Sequence, residues 1–119
     1  MWNVLTGLLV LCALSIAAAQ KVYTGEFRCG HSDNWAAIPS DDTKQKTRES
    51  AFTITFPQSF KAPPSVLMSV TSLDADQGKN LRYSTRLTDH TARGFRGSCF
   101  TWWDTIIYSM RVHWIAVGA

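Results

Sequence analysis

Ala51-Phe52-Thr53-Ile54-Thr55-Phe56 is the stretch that decides the fold class. Large apolar and polar β-branched side chains alternate with a period of two. Phe52, Ile54 and Phe56 therefore share one face of a strand, with Thr53 and Thr55 on the other. Working outward, Pro57 and Pro63-Pro64 bound the next turn, because proline has no N–H to give a sheet ladder. Residues 65–73 resume the alternation, with Val66, Met68 and Val70 on one face. Upstream, residues 21–28 alternate loosely around Val22, Tyr23 and Phe27, and the polar stretch 30–46 reads as a long loop anchored by Trp35 and Ile38. Downstream, Asp74 to Lys79 reads as a turn. Residues 81–87 follow as a strand with Leu81, Tyr83, Thr85 and Leu87 inward and Arg82, Ser84 and Arg86 outward. After a turn at 88–93 come strands at 94–101 and 106–117. The last of these sets Met110, Val112 and Trp114 opposite Arg111 and His113. No segment after residue 19 has a helical period. The pattern predicts an all-β chain, a six-stranded antiparallel β-sandwich.

Residues 1–19 stand apart. Val4 to Ala19 is nearly all apolar, carries no charge and ends Ala17-Ala18-Ala19. That is the form of a secretory signal peptide with an A-x-A cleavage site, although no Lys or Arg precedes the apolar run. The run is short for a bilayer span, so a membrane anchor is the weaker reading. The expectation is a secreted, extracellular protein with a single domain at residues 20–119 and no membrane insertion.

All 12 Lys and Arg and all 9 Asp and Glu fall after residue 19, and the net charge is +3. The excess is spread along the chain without a tail or stripe, which gives no support to nucleic-acid binding. Cys12 would leave with the signal. Cys29 and Cys99 remain as an even pair, expected to form a disulfide in an oxidising compartment; two free buried thiols are the alternative.

Thr101-Trp102-Trp103-Asp104-Thr105 carries the strongest functional hint. Neighbouring side chains of a strand point to opposite faces, so at most one of Trp102 and Trp103 enters the core easily. The other faces outward, or both are partly exposed in a loop. An exposed aromatic beside polar groups suits the apolar face of a sugar ring.

The chain resembles the H-type lectins, the snail-agglutinin family. The resemblance runs from Gly25, Cys29-Gly30, Trp35 and Pro39-Ser40-Asp41-Asp42 through Thr47-Arg48-Glu49, Pro63-Pro64 and Asn80-Leu81-Arg82. It ends with Cys99, the Thr101-Trp102 and Asp104-Thr105 signature and Trp114-Ile115-Ala116. It implies a lectin that assembles as a trimer or hexamer. Metal-free sites between protomers would take terminal N-acetylgalactosamine (GalNAc) or galactose-type sugars. By resemblance, Arg82 bonds sugar hydroxyls, Trp102 supplies the platform, Trp103 contacts the ring or the N-acetyl group, and Tyr108 completes the wall. Arg suits this role because it offers several donors in a fixed plane and no acceptor.

Two positions depart from the family. Its acidic loop residue is replaced within Thr43-Lys44-Gln45-Lys46, and Trp103 stands where His is common. Gln45 is an amide acceptor, and Lys44 and Lys46 suit anionic ligands such as sialylated or sulfated glycans. With no Cys at Ser59-Phe60-Lys61, assembly would be non-covalent.

An enzyme is not expected. Asp41-Asp42 are adjacent and poorly placed for a glycosidase pair. His31, His90 and His113 lack metal-ligand spacing, and no nucleophile elbow or phosphate loop is present. No cofactor is called for. A role in innate defence fits a secreted lectin. A secreted structural or storage scaffold of the same fold, with a lost sugar site, is the rival.

Overall fold

The computed structural model describes residues 19–39 and 45–119. The expected signal peptide and Lys44 lie outside these described residues, except for Ala19.

Among the described residues seven strands form two antiparallel sheets: β1 (Lys21–Cys29), β2 (Ala36–Ala37), β3 (Arg48–Thr55), β4 (Ser65–Ala75), β5 (Ser84–Thr88), β6 (Gly94–Thr101) and β7 (Ile107–Gly118). One sheet has the order β1-β7-β4 and the other β2-β3-β6-β5. The all-β, antiparallel expectation holds, but the count is seven rather than six. The seventh is the two-residue β2, which pairs with Arg48 and Glu49 inside the stretch read as loop. A single 3-10 turn at Ser32–Asn34 precedes it, closed by the His31 Nδ1 atom accepting from the Asp33 N–H. So short a strand has no periodicity to read.

The alternation at 51–56 does what its pattern requires. Phe52 and Ile54 pack against the core and Phe56 is buried within it, while Thr53 and Thr55 are exposed. Met110, Val112 and Trp114 face them from β7, and Trp35 is buried with them. The core is strongly aromatic. The ring centroid of Phe56 lies 5.1 Å from that of Phe60, and that of Phe95 lies 5.4 Å from that of Trp114, both edge-on, the arrangement the ring quadrupoles favour. Burying each large apolar side chain contributes about 1.5–3 kcal/mol. Along β4 the pairing with β7 shifts between Val70 and Ser72. This bulge changes the parity of the strand. Val66, Met68 and Val70 pack inward before it, and Leu73 and Ala75 after it.

Cys29 of β1 and Cys99 of β6 form a disulfide across 70 residues, tying one sheet to the other. It joins the first strand to the fifth of those read from the sequence.

One strand is shorter than expected. Residues 81–83 are not in β5, and Leu81 and Tyr83 are 53% and 42% exposed rather than inward. Thr85 and Leu87 behave as predicted, both half-buried. β5 pairs with β6 only over Ser84–Thr88. Beyond Ser84 the backbone is committed elsewhere: the Arg82 carbonyl accepts from the Thr101 hydroxyl at 2.6 Å and the Asn80 carbonyl from the Thr105 hydroxyl at 2.6 Å. Side chains, not a ladder, hold this segment, and strand periodicity cannot report that.

Candidate binding site at the β6–β7 turn

Trp102 and Trp103 lie in the turn between β6 and β7, with Trp102 half-buried and Trp103 48% exposed. This is the loop arrangement among the two considered for adjacent tryptophans. Trp103 has a φ of 58°, in the left-handed region where a bulky residue is a true outlier. Such a conformation costs about 1–3 kcal/mol and persists only where neighbours over-determine it. Here they do. The Trp103 N–H donates to the Gln45 carbonyl at 2.6 Å, and its own carbonyl accepts from Arg48 Nη2 at 3.0 Å.

Arg48 is the clamp of this end of the molecule. Its Nη2 also donates to the Thr105 carbonyl at 3.0 Å, and its Nε to the Lys46 carbonyl at 3.2 Å. The guanidinium thereby ties the β2–β3 loop to the β6–β7 turn. Ser32 ties the 3-10 turn to the start of β7: its buried hydroxyl accepts the Ile107 N–H at 3.0 Å. Neither residue was singled out as functional from the sequence. A lone Arg or Ser at a strand end has no pattern, and only the resemblance touched Arg48.

Arg82 sits in the segment before β5 rather than projecting from a strand. Its Nη1 donates to Asp104 Oδ1 at 2.8 Å, to Thr105 Oγ1 at 3.2 Å and to the Asn80 carbonyl at 3.3 Å. Nη1 carries every one of these bonds. Nε and Nη2 make none among the described residues. The ion pair fixes the guanidinium while leaving one edge available. Asp104, half-exposed, offers a carboxylate beside it. The family's acidic loop residue is replaced within 43–46, but the turn itself offers a carboxylate, that of Asp104 within the Asp104-Thr105 signature.

Tyr108, 42% exposed, donates its hydroxyl to Asp76 Oδ2 at 3.0 Å, and its ring centroid is 5.4 Å from that of His31. Asp76 also accepts the Gly78 N–H at 2.7 Å. The Gly78 N–H and then the Tyr108 hydroxyl hold the Asp76 carboxyl below its ordinary range. The hydrogen bond to Asp76, and then the carboxylate's charge, push the Tyr108 phenol above its own. Lys46 places its ammonium 5.9 Å from the Trp103 ring centroid, at the long end of a cation–π contact. Gln45 contributes its backbone carbonyl. Trp102, Trp103, Gln45 and Lys46 therefore lie in or against the β6–β7 turn, Arg82 is tied to it through Asp104 and Thr105, and Tyr108 stands at the start of β7 with its hydroxyl on Asp76. The arrangement offers exposed aromatic faces, free guanidinium donors and carboxylate acceptors. Among the described residues no group of His, Cys, Asp and Glu is placed to hold a metal ion.

The two-sheet fold is similar to that of discoidin II from Dictyostelium discoideum. The recombinant native structure matches with a TM-score of 0.67 at 22% identity, over 85% of this chain and 38% of that one. The wild-type structure also gives 0.67 at 22%, over 84% and 37%. A protein of Fuscovulum blasticum described as ATP synthase subunits region ORF 7 is 33% identical over 72 residues, 60% of this chain and 63% of its own length. The chain thus spans less than two thirds of each of these relatives. A family model of the H-type lectin domain matches residues 51–117, more than half of the sequence, and the chain belongs to that family.

Proposed function

We propose that this H-type lectin domain is a secreted carbohydrate-binding protein, not an enzyme. It takes terminal GalNAc or galactose-type sugars at the β6–β7 turn. The observation that carries this reading is the state of Arg82: anchored through Nη1 to Asp104 and Thr105, it leaves Nε and Nη2 without a hydrogen bond among the described residues, on the turn that also exposes Trp103. The free edge donates to sugar hydroxyls and the Asp104 carboxylate accepts from them. The indole covers the apolar face of the ring at small entropic cost. Trp102 and Tyr108 shape the walls.

A single shallow site of this kind binds a monosaccharide weakly. Self-association into a trimer or hexamer, with sites between protomers, raises avidity by roughly 10²–10⁴ on a multivalent surface. Secretion is supported by the apolar leader and the Cys29–Cys99 disulfide, which is at home in an oxidising compartment. Innate defence is the role that suits such a molecule.

A glycan array probed with the domain, with Arg82→Ala as control, tests the proposal. Selective binding to galactose-type termini, lost in the variant with the fold intact, is the expected outcome. An intact oligomer that binds nothing would instead establish the scaffold reading, which the Arg82–Asp104 ion pair favours by partly satisfying the guanidinium within the protein.

A further inference from the structure

The outer face of the four-stranded sheet carries a buried aromatic that is not part of the core. Phe100 is only 4% exposed, yet it stands outside the core cluster. Its neighbour Cys99 turns inward to the disulfide, so Phe100 points out. The guanidinium of Arg86, on the adjacent strand β5, covers it at 4.3 Å from the ring centroid. Beside them lies a hollow of about 480 Å³ whose lining includes Ala37, Pro39, Glu49, Ala51, Arg86 and Arg96.

Among the described residues the charges that line this hollow do not balance. Arg96 Nη2 donates to Glu49 Oε1, so that pair is internally neutral. The Arg86 side chain donates no hydrogen bond among the described residues. Two guanidinium groups against one carboxylate among the described lining residues leave an excess of one positive charge. Stacking on Phe100 restrains Arg86 while its N–H edge stays open, the condition under which a guanidinium is pre-organised for an oxyanion. Two of the strands that line the hollow, β3 and β6, also lead to the β6–β7 site. Glu49 follows Arg48, which clamps Trp103 and Thr105, and Phe100 is two residues before Trp102.

We propose that this hollow is a second subsite, which takes the carboxylate or sulfate of an acidic sugar unit attached to the one held at the β6–β7 turn. Arg86 is its anion-binding residue, and Arg96, oriented by Glu49, lines its far side. The proposal rests on the lectin reading above and adds an acidic-glycan preference that originates on the sheet face rather than in the Lys44–Lys46 loop.

The test is calorimetric titration of the full chain with three matched galactose-containing disaccharides: one neutral, one sulfated and one carrying a uronic acid. Both acidic probes are expected to bind about tenfold more tightly than the neutral one, with the advantage shrinking in high salt. In Arg86→Gln the advantage disappears while neutral binding persists; Arg86→Lys restores part of it. If only one acidic probe gains, that identifies carboxylate or sulfate as the ligand. Equal affinity for all three overturns the proposal. So does an acidic preference that survives Arg86→Gln and vanishes in Lys46→Gln. Should no disaccharide bind, the β6–β7 reading fails by itself, and the hollow is then judged by NMR with inorganic sulfate. A saturable shift of the Arg86 Nε–H resonance supports it, and no shift overturns it.

Discussion

Trp103 shows how a single residue here is held against its own preference. Its left-handed φ is imposed by the bonds to Gln45 and Arg48. Trp103→Gly removes the strain and the ring together. The expected result is a thermal midpoint equal to or above that of the parent, since glycine adopts φ > 0 freely and recovers up to about 1 kcal/mol, alongside loss of glycan binding. A strong fall in the midpoint would mean that the indole packs as structure. Asp76 and Tyr108 provide a pH test at the same scale. The folded Asp76 carboxyl lies below its ordinary 3.8, so its contribution is present above that value and is lost as the pH falls through the folded one. The Tyr108 phenol lies above its ordinary 10.0, so its contribution is present below 10.0 and is lost as the pH rises through the folded value. In Asp76→Ala, spectrophotometric titration of tyrosinate absorbance should show Tyr108 ionising at lower pH than in the parent. An unchanged titration would mean that the hydrogen bond is not made.

At the scale of elements, the close approach of β6 to the sheet that holds β1 and β4 depends on what β6 lacks. A Cβ on Gly97 would stand 2.8 Å from the Phe27 ring and 3.3 Å from Met68 Sδ, both across the core on the other sheet. Gly97→Ala should therefore destabilise the domain by about 1–3 kcal/mol, the usual cost of overpacking, read from chemical denaturation. No loss would show that the two sheets can move apart at this point. The loops joining the elements are held by side chains reaching backbone. Arg48→Ala removes donors to the carbonyls of Lys46, Trp103 and Thr105. A cost of about 1.5–3 kcal/mol is expected from bonds to a charged group. Glycan affinity should fall with it although Arg48 need not touch sugar, because the turn that carries Trp103 would no longer be pinned.

For the whole molecule, the Cys29–Cys99 link is the one covalent tie found between the sheets among the described residues. A closed loop of this size restricts the unfolded chain, and its removal should cost about 2–4 kcal/mol. In a domain of this size that lowers the midpoint by roughly 10 °C or more. Calorimetry with and without reductant measures it, and a midpoint insensitive to reductant would place the stability in the aromatic core alone. Oligomerisation is a prediction at this scale too. With sites between protomers, dilution below the dissociation constant of the oligomer should weaken multivalent binding and monosaccharide affinity together; a monosaccharide affinity unchanged by dilution would place the whole site within one protomer.

The alternation at residues 51–56, the apolar faces of β4 and β7 and the pair of cysteines were enough to determine an all-β antiparallel chain with its core residues and its disulfide. They are legible because strand side chains obey a period of two whatever the rest of the chain does, and because, with Cys12 set aside in the expected leader, the two remaining cysteines allow a single pairing. The turn Thr101 to Thr105, with Arg82, was likewise legible as a candidate binding end, partly through its resemblance to a family. Other features were settled only in three dimensions. Leu81 and Tyr83 leave the sheet because the Thr101 and Thr105 hydroxyls capture the backbone at Arg82 and Asn80. Arg48 becomes a clamp, and Asp104 the partner of Arg82, because loops far apart in sequence converge at one end. Phe100 is buried on an outer face because Arg86 of the neighbouring strand covers it. Each of these depends on hydrogen bonds and contacts between distant segments. Local periodicity carries no record of such contacts until the two sheets have closed on one another.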